Sequence, residues 1–98
     1  MAENALSPDI CIYPDEKFET LNIEISLPGV EKKNIDLNMY EEGFYVVAKK
    51  EGVKYVGTHT LASPVDPNKA IASYANGVLK INVPYKRPFK EAKKIAID

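Results

Sequence analysis

Apolar and polar residues alternate along most of this chain with a period of two. From Leu21 to Leu27 the odd positions Leu21, Ile23, Ile25 and Leu27 are apolar, and Asn22, Glu24 and Ser26 between them are polar. That is the pattern of a strand with one buried face and one wet face, and Pro28-Gly29 stops it. Ile35, Leu37 and Met39 repeat it against Asp36 and Asn38. Glu41-Glu42-Gly43 then turns the chain into a strand at 44–49, and "EGVK" turns it again into a strand at 54–61, so residues 34–61 predict an antiparallel meander. Ile10 to Tyr13 predicts a short extended piece closed by Pro14. The run "ASPVDPN", residues 62–68, holds two prolines and predicts a longer connection before a strand over 69–74. Asn76-Gly77 is a hairpin signal, because both residues tolerate the positive φ of a tight turn. After it Leu79, Ile81 and Val83 alternate with Lys80 and Asn82 until Pro84 ends the pairing.

No segment keeps a helical period for three turns. About seven short antiparallel strands with frequent turn signals predict an all-β, immunoglobulin-like β-sandwich, each sheet burying one face against the other. Ile23, Ile25, Leu61, Leu79 and Ile81 are its expected core. Past Pro84, "YKRPFKEAKK" holds five basic residues, a second proline and the isolated Phe89, and predicts an extended C-terminal tail. The chain finishes with Ile95-Ala96-Ile97-Asp98, whose two isoleucines point the same way in an extended strand. Residues 1–8 are expected to be a short flexible N-terminal arm, 9–85 the domain and 86–98 the tail.

Composition narrows what such a sandwich can do. At 98 residues the chain is one domain, of a size that buries somewhat over ~60% of its unfolded surface. Its net charge of −1, with 28% charged residues of both signs, steers neither nucleic acid nor an acidic substrate. The longest apolar run, Phe44 to Ala48, is far short of the ~20 residues that span a bilayer, so no membrane partner is expected. A single cysteine, Cys11, cannot form an internal disulfide, and the start "MAENALSPDI" lacks the basic and apolar regions of a secretion signal. The expected location is cytoplasmic.

Candidate chemistry is sparse. With one histidine, His59, and one cysteine, neither zinc-ligand spacing nor a Cys-His pair backed by a second histidine can be assembled. Glu41 and Glu42 fall in a turn, and Asp15, Glu16 and Glu19 lie near a strand start, so solvated turns describe them better than paired catalytic carboxylates. Gly43, Gly52, Gly57 and Gly77 are spread singly and make no phosphate loop. Lys86, Arg87, Lys90, Lys93 and Lys94 read as a solubilising linker, with no stacked aromatic face behind them to bind nucleic acid. No catalytic, metal or cofactor site is expected, and the chain is not expected to be an enzyme.

Several of these runs together carry a resemblance. "ASYANGVLKINVP" is similar to the signature of the α-crystallin domain of small heat-shock proteins, "SLPGVEKKNI" to that family's Pro-Gly-Val loop, and "LASPVDPNKAIA" to its Leu-Pro-x-x-Val-Asp segment. Ile95-x-Ile97 matches the family's terminal docking motif, so the resemblance covers about residues 9–98. It implies an ATP-independent holdase that binds unfolding client proteins and assembles with itself. It also implies that Ile95 and Ile97 dock in a groove with Leu37 and Met39 on one wall and Ala70 and Ala72 on the other, although Met39 reads more readily as a core residue of the sandwich.

The sequence departs from the family pattern in three places. The long loop that reaches a partner subunit is reduced to "EGVK". The positions of a common arginine and a common aromatic fall at Gly57 and His59. The N-terminal arm holds only Leu6 as a large apolar anchor after Met1. Two other readings stand beside the holdase: a monomeric co-chaperone adaptor of the CS type, favoured by the short loop, and a structural subunit of the same fold.

Overall fold

The structure, a computed structural model, describes residues 4–87 and 93–98. Met1, Phe89 and Lys90, named above, lie outside the described residues. Eight strands pack as two four-stranded sheets. These are β1 (Asn4–Leu6), β2 (Ile10–Pro14), β3 (Thr20–Ser26), β4 (Ile35–Tyr40), β5 (Gly43–Lys50), β6 (Val53–Thr60), β7 (Ile71–Ala75) and β8 (Val78–Pro84). One sheet runs β1-β6-β5-β4 and the other β2-β3-β8-β7. The only helical pieces among the described residues are short 3-10 turns, at Lys32–Asn34 and Pro67–Lys69.

The period-two reading places the core. Ile23 and Ile25 are fully buried, Leu61, Leu79 and Ile81 are at most 9% exposed, and Phe44, Val46 and Val65 join them with no exposure at all. Ile25 and Leu79 are cross-strand partners, as are Ile23 and Ile81, so β3 and β8 present one continuous apolar face to β5 across the sandwich. The Asn76-Gly77 turn has positive φ at both residues, +52° and +79°, which closes the β7–β8 hairpin with the twist that its strands need.

Two elements differ from the expectation. Residues 4–6 of the arm form β1, which pairs in parallel with Val53–Tyr55 of β6. From there the chain crosses the open side of the sandwich to β2 through a buried Pro8. A Cβ on Gly57 would lie 3.1 Å from the Pro8 ring and 3.3 Å from Ile10 Cδ1, so the glycine admits this crossing segment. The strand expected from residue 69 begins at Ile71 instead. Asp66 accepts from the Asn68 N–H, and Pro67 starts a 3-10 turn that holds Lys69 out of the sheet. The connection before it is fastened at both sheets: Leu61 and Val65 N–H donate to the carbonyls of Glu42 and Glu41, and Val65 bridges Tyr85.

The β2–β3 hairpin is held by a carboxylate. Asp15 accepts from the N–H groups of Glu19 at 2.8 Å and Thr20 at 3.3 Å, around a turn in which Phe18 has φ +55°. Partial burial pushes this carboxyl up, but the donors from Glu19, Thr20 and Phe18 outweigh it, so its pKa is lowered on balance.

A carboxyl with a depressed folded pKa contributes stability above the ordinary carboxylate pKa and loses it as pH falls through the depressed value. The stability gap between the parent and Asp15→Ala should therefore be widest near neutral pH and close on acidification, as read from urea midpoints over a pH series. In the core, Leu79→Ala should lower stability by about 2–5 kcal/mol through lost burial and the cavity left behind. Urea unfolding at neutral pH measures it, and an unchanged midpoint would contradict the register.

Candidate functional site

Of the cavities among the described residues, two apolar ones open at the two sides of the sandwich, where the outer strands of facing sheets part. One, of about 200 Å³, lies between β4 and β7 and is lined by Ile35, Leu37, Ala72, Ser73, Tyr74 and Leu79, with Lys32 at its rim. Ile35 and Leu37 share the core-facing side of β4. Ala72 and Tyr74 share that side of β7, opposite Ile81 and Leu79 of β8. Ala72 fills little of the gap between the sheets, which leaves the space open. Leu37 and Ala72 both line this cavity. Met39 is half-buried against the core and Ala70 is exposed at the end of the 3-10 turn; neither lines the cavity.

The cavity runs toward Ile35 and Tyr74 rather than toward Met39 and Ala70, because the chain enters β7 only at Ile71. Ile35 and Tyr74 have the parity of Leu37 and Ala72, so the signal for them was present in the alternation. Tyr74 also fixes the far wall. Its hydroxyl lies 2.6 Å from the Leu27 carbonyl and 2.8 Å from that of Val30, donating to one at a time, and so ties β7 to the Pro28-Gly29 loop. The hairpin tip adds to this, since Leu27 N–H donates to the Gly77 carbonyl at 2.7 Å. Beyond the domain, Ile95 and Ile97 are 71% and 95% exposed, apolar side chains on a polar tether.

The second cavity, of about 360 Å³, opens between β2 and β6 and is lined by Ile12, Leu21, His59, Leu61 and Tyr85 among others. His59 is exposed and its ring stacks on Phe44, with centroids 5.9 Å apart. Cys11 is an exposed thiol on β2, in the other sheet. Among the described residues no three His, Cys, Asp or Glu side chains gather as metal ligands, and no helix is long and apolar enough to cross a membrane. Of the turn acids, Glu41 pairs with Lys86 at 2.9 Å, an exposed ion pair of the kind that adds little stability.

A family model described as "Hsp20/alpha crystallin family" matches residues 14–98. The chain is 28% identical to a probable 15 kDa heat shock protein of Leptospira interrogans, over 94% of this chain and 78% of that one. Its fold is similar to that of heat shock protein 16.0 from Schizosaccharomyces pombe, with TM-score 0.74 at 20% identity, covering 96% of this chain and 77% of the other. It is also similar to a small heat-shock protein from Xylella fastidiosa, described as having a distinct high order structure, with TM-score 0.68 at 16% identity over 93% and 95% of the two chains.

The geometry makes Tyr74 the residue that sets the width of the smaller cavity. Tyr74→Phe should lower stability by about 1–2 kcal/mol, since two part-buried carbonyls lose their shared donor. Amide exchange should quicken at Leu27 and Val30, whose N–H groups donate to the carbonyls of Gly77 and Leu27, while β5 stays protected. Equal protection in both chains would show that the hydroxyl does not hold the wall.

Proposed function

The chain belongs to the Hsp20/alpha crystallin family, a family of chaperones, and on that footing we propose that it is an ATP-independent holdase that assembles by tail docking. In this reading Ile95 and Ile97 of one copy enter the groove between β4 and β7 of another, against Leu37 and Ala72, with Met39 and Ala70 at the groove's far end. The observation that carries it is the pairing of two exposed isoleucines, 71% and 95% accessible, with an open apolar cavity between two strands at sheet rims. A tail strand laid there gains backbone hydrogen bonds from a rim and a pocket for alternate side chains.

Magnitudes favour an exchangeable contact. Burying two isoleucines gains about 3–6 kcal/mol in transfer terms. Lost rigid-body freedom and ordering of the tail oppose this by several kcal/mol. A single contact is then weak, and an assembly holds through many of them at high effective concentration. The same weakness supplies the chaperone route: warming, or an excess of unfolded protein, vacates grooves and rims for client segments of like apolar spacing. The expected partners are further copies of this chain and unfolding clients.

The double variant Ile95→Ala, Ile97→Ala should have a lower oligomer mass by light scattering at matched concentration, with an unchanged melting point. Ala72→Arg, which fills the groove from the other side, should do the same. Both should alter suppression of thermal aggregation of a model client in the absence of nucleotide. Unchanged mass in both variants would overturn tail docking and favour the monomeric adaptor, the reading that the two-residue Glu51-Gly52 turn supports.

A further inference from the structure

The apolar run from Phe44 to Ala48 has no part in the tail groove. A strand covered on both faces reads as a continuous apolar run, whereas a strand covered on one face alternates. β3 and β8 alternate. The outer face of their sheet presents Asn22, Glu24, Lys80 and Asn82, and the Asn82 amide donates to Asn22 Oδ1 at 3.0 Å. β5 does not alternate. Phe44, Val46 and Ala48 turn inward and are fully buried, while Tyr45 and Val47 turn to the side away from the facing sheet, where Tyr45 is exposed and Val47 half-buried.

Neighbouring strands extend this apolar face. Val47 has the exposed Val56 of β6 as its cross-strand partner. At the start of β5 the Tyr40 ring lies against Gly43, where a Cβ would meet its hydroxyl oxygen at 2.7 Å and its Cζ at 3.0 Å. Tyr40 is nevertheless 47% exposed, so the glycine lays a ring on the face without burying it. Asn38 and Thr58 flank Tyr45 from the two neighbouring strands and make polar margins. At the far end Lys49 and Lys54 are directly opposite each other. A like-charge pair in that position is destabilising unless an anion joins it, and among the described residues neither lysine is in an ion pair. At the near end the exposed Glu42 precedes Gly43. The face is thus negative where β5 starts, apolar along its middle and positive where it ends.

We propose that this face docks an amphipathic α-helix of another protein, lying along β5 in the same direction, with an acidic last turn over Lys49 and Lys54. The ladders to β4 and β6 occupy the backbone of β5 on both sides, so the face offers side chains alone. Its complement must satisfy its own backbone groups, as a helix does and an added strand does not. From Gly43 to Lys49 the strand rises about 20 Å, the length of ~13 helical residues. Three strands span about 10 Å, close to the diameter of one helix. Charge sets the direction. A helix is partially positive at its N-terminus and negative at its C-terminus, which suits Glu42 and the lysine pair only when it runs with β5. The described residues hold no helix beyond the two 3-10 turns, so a second copy does not supply it. Tyr40, Tyr45, Val47 and Val56 make a small contact, and the complex is a transient one. The face is separate from the groove between β4 and β7 and does not rest on tail docking.

The test titrates the full chain into a fluorescein-labelled, lactam-stapled helix of about 14 residues, with leucines at i, i+3, i+4 and i+7 and two glutamates in its last turn. Anisotropy should report binding. Lys49→Glu, Lys54→Glu should weaken it about ten-fold, and the same variant should prefer a helix that ends in two lysines. Val56→Glu, at an exposed position on the face, should also weaken binding about ten-fold. Ile71→Glu, at an exposed position on the other sheet, should leave binding unchanged, as should Ile95→Ala, Ile97→Ala. If Val56→Glu fails to fold by its melting curve, Tyr45→Glu gives the same reading. Absent binding, no exchange of preference in the lysine variant, a Val56→Glu chain that binds like the parent, or equal binding of an unstapled peptide with a central proline would each overturn the proposal. So would displacement of the helix by single-stranded oligouridine, which would make the face a polyanion site. Self-association that Val56→Glu abolishes, in a chain that does not bind the helix, would instead cover the face with a second copy and overturn it too.

Discussion

A strand at the rim of a sheet has a neighbour on one side and a row of unpaired N–H and C=O groups on the other, and a small sandwich cannot bury those rows within itself. Two sheets ordered β1-β6-β5-β4 and β2-β3-β8-β7 leave this chain with rims on both sides of the sandwich. How each rim is treated accounts for most of what is particular to the molecule. β1 lies along the first residues of β6. Pro8 and Pro14 bracket β2. The rims of β4 and β7 flank an apolar cavity in which the alanine at position 72 leaves room. A closed barrel would leave no such strand edge open.

The core permits this arrangement because its packing is independent of the rims. Ile23, Ile25, Phe44, Val46, Val65 and Val83 are fully buried, and they come from the inner strands β3, β5 and β8 and from the connection between β6 and β7. The outer strands β2, β4 and β7 contribute half-buried residues such as Ile12, Leu37 and Tyr74. An outer strand can therefore meet another chain without disturbing the centre. The Tyr74 hydroxyl and the Gly77 carbonyl, both bound to the Leu27–Val30 loop, keep the β7 hairpin from closing or splaying the groove beside it.

Gly57 shows how a departure from a family pattern can have a local cause. A side chain there would press on Pro8 and Ile10, which cross from β1 to β2 over this point of β6. The glycine and the crossing segment therefore belong together. Gly43 is a similar case at the β4–β5 turn, where a Cβ would collide with the His59 carbonyl and the Tyr40 ring.

Alternation of apolar and polar residues placed β3, β4, β8 and the central core, and turn signals placed β5, β6 and the Asn76-Gly77 hairpin. Each depends on residues close in sequence, and the alternation on a period that one buried face imposes. Leu37 and Ala72, two of the four residues that the resemblance names, line the cavity between β4 and β7, and the direction in which that cavity extends depends on where β7 begins. That start is decided by the Asp66 cap and the Pro67 turn competing with the ladder. The pairing of Asn4–Leu6 with β6 left no trace in the alternation, because all three side chains are exposed and only backbone groups hold them. Local pattern could say which face of a strand is buried. Which rims meet, and what space lies between them, is set by contacts between residues tens of positions apart, and only the tertiary structure contains those.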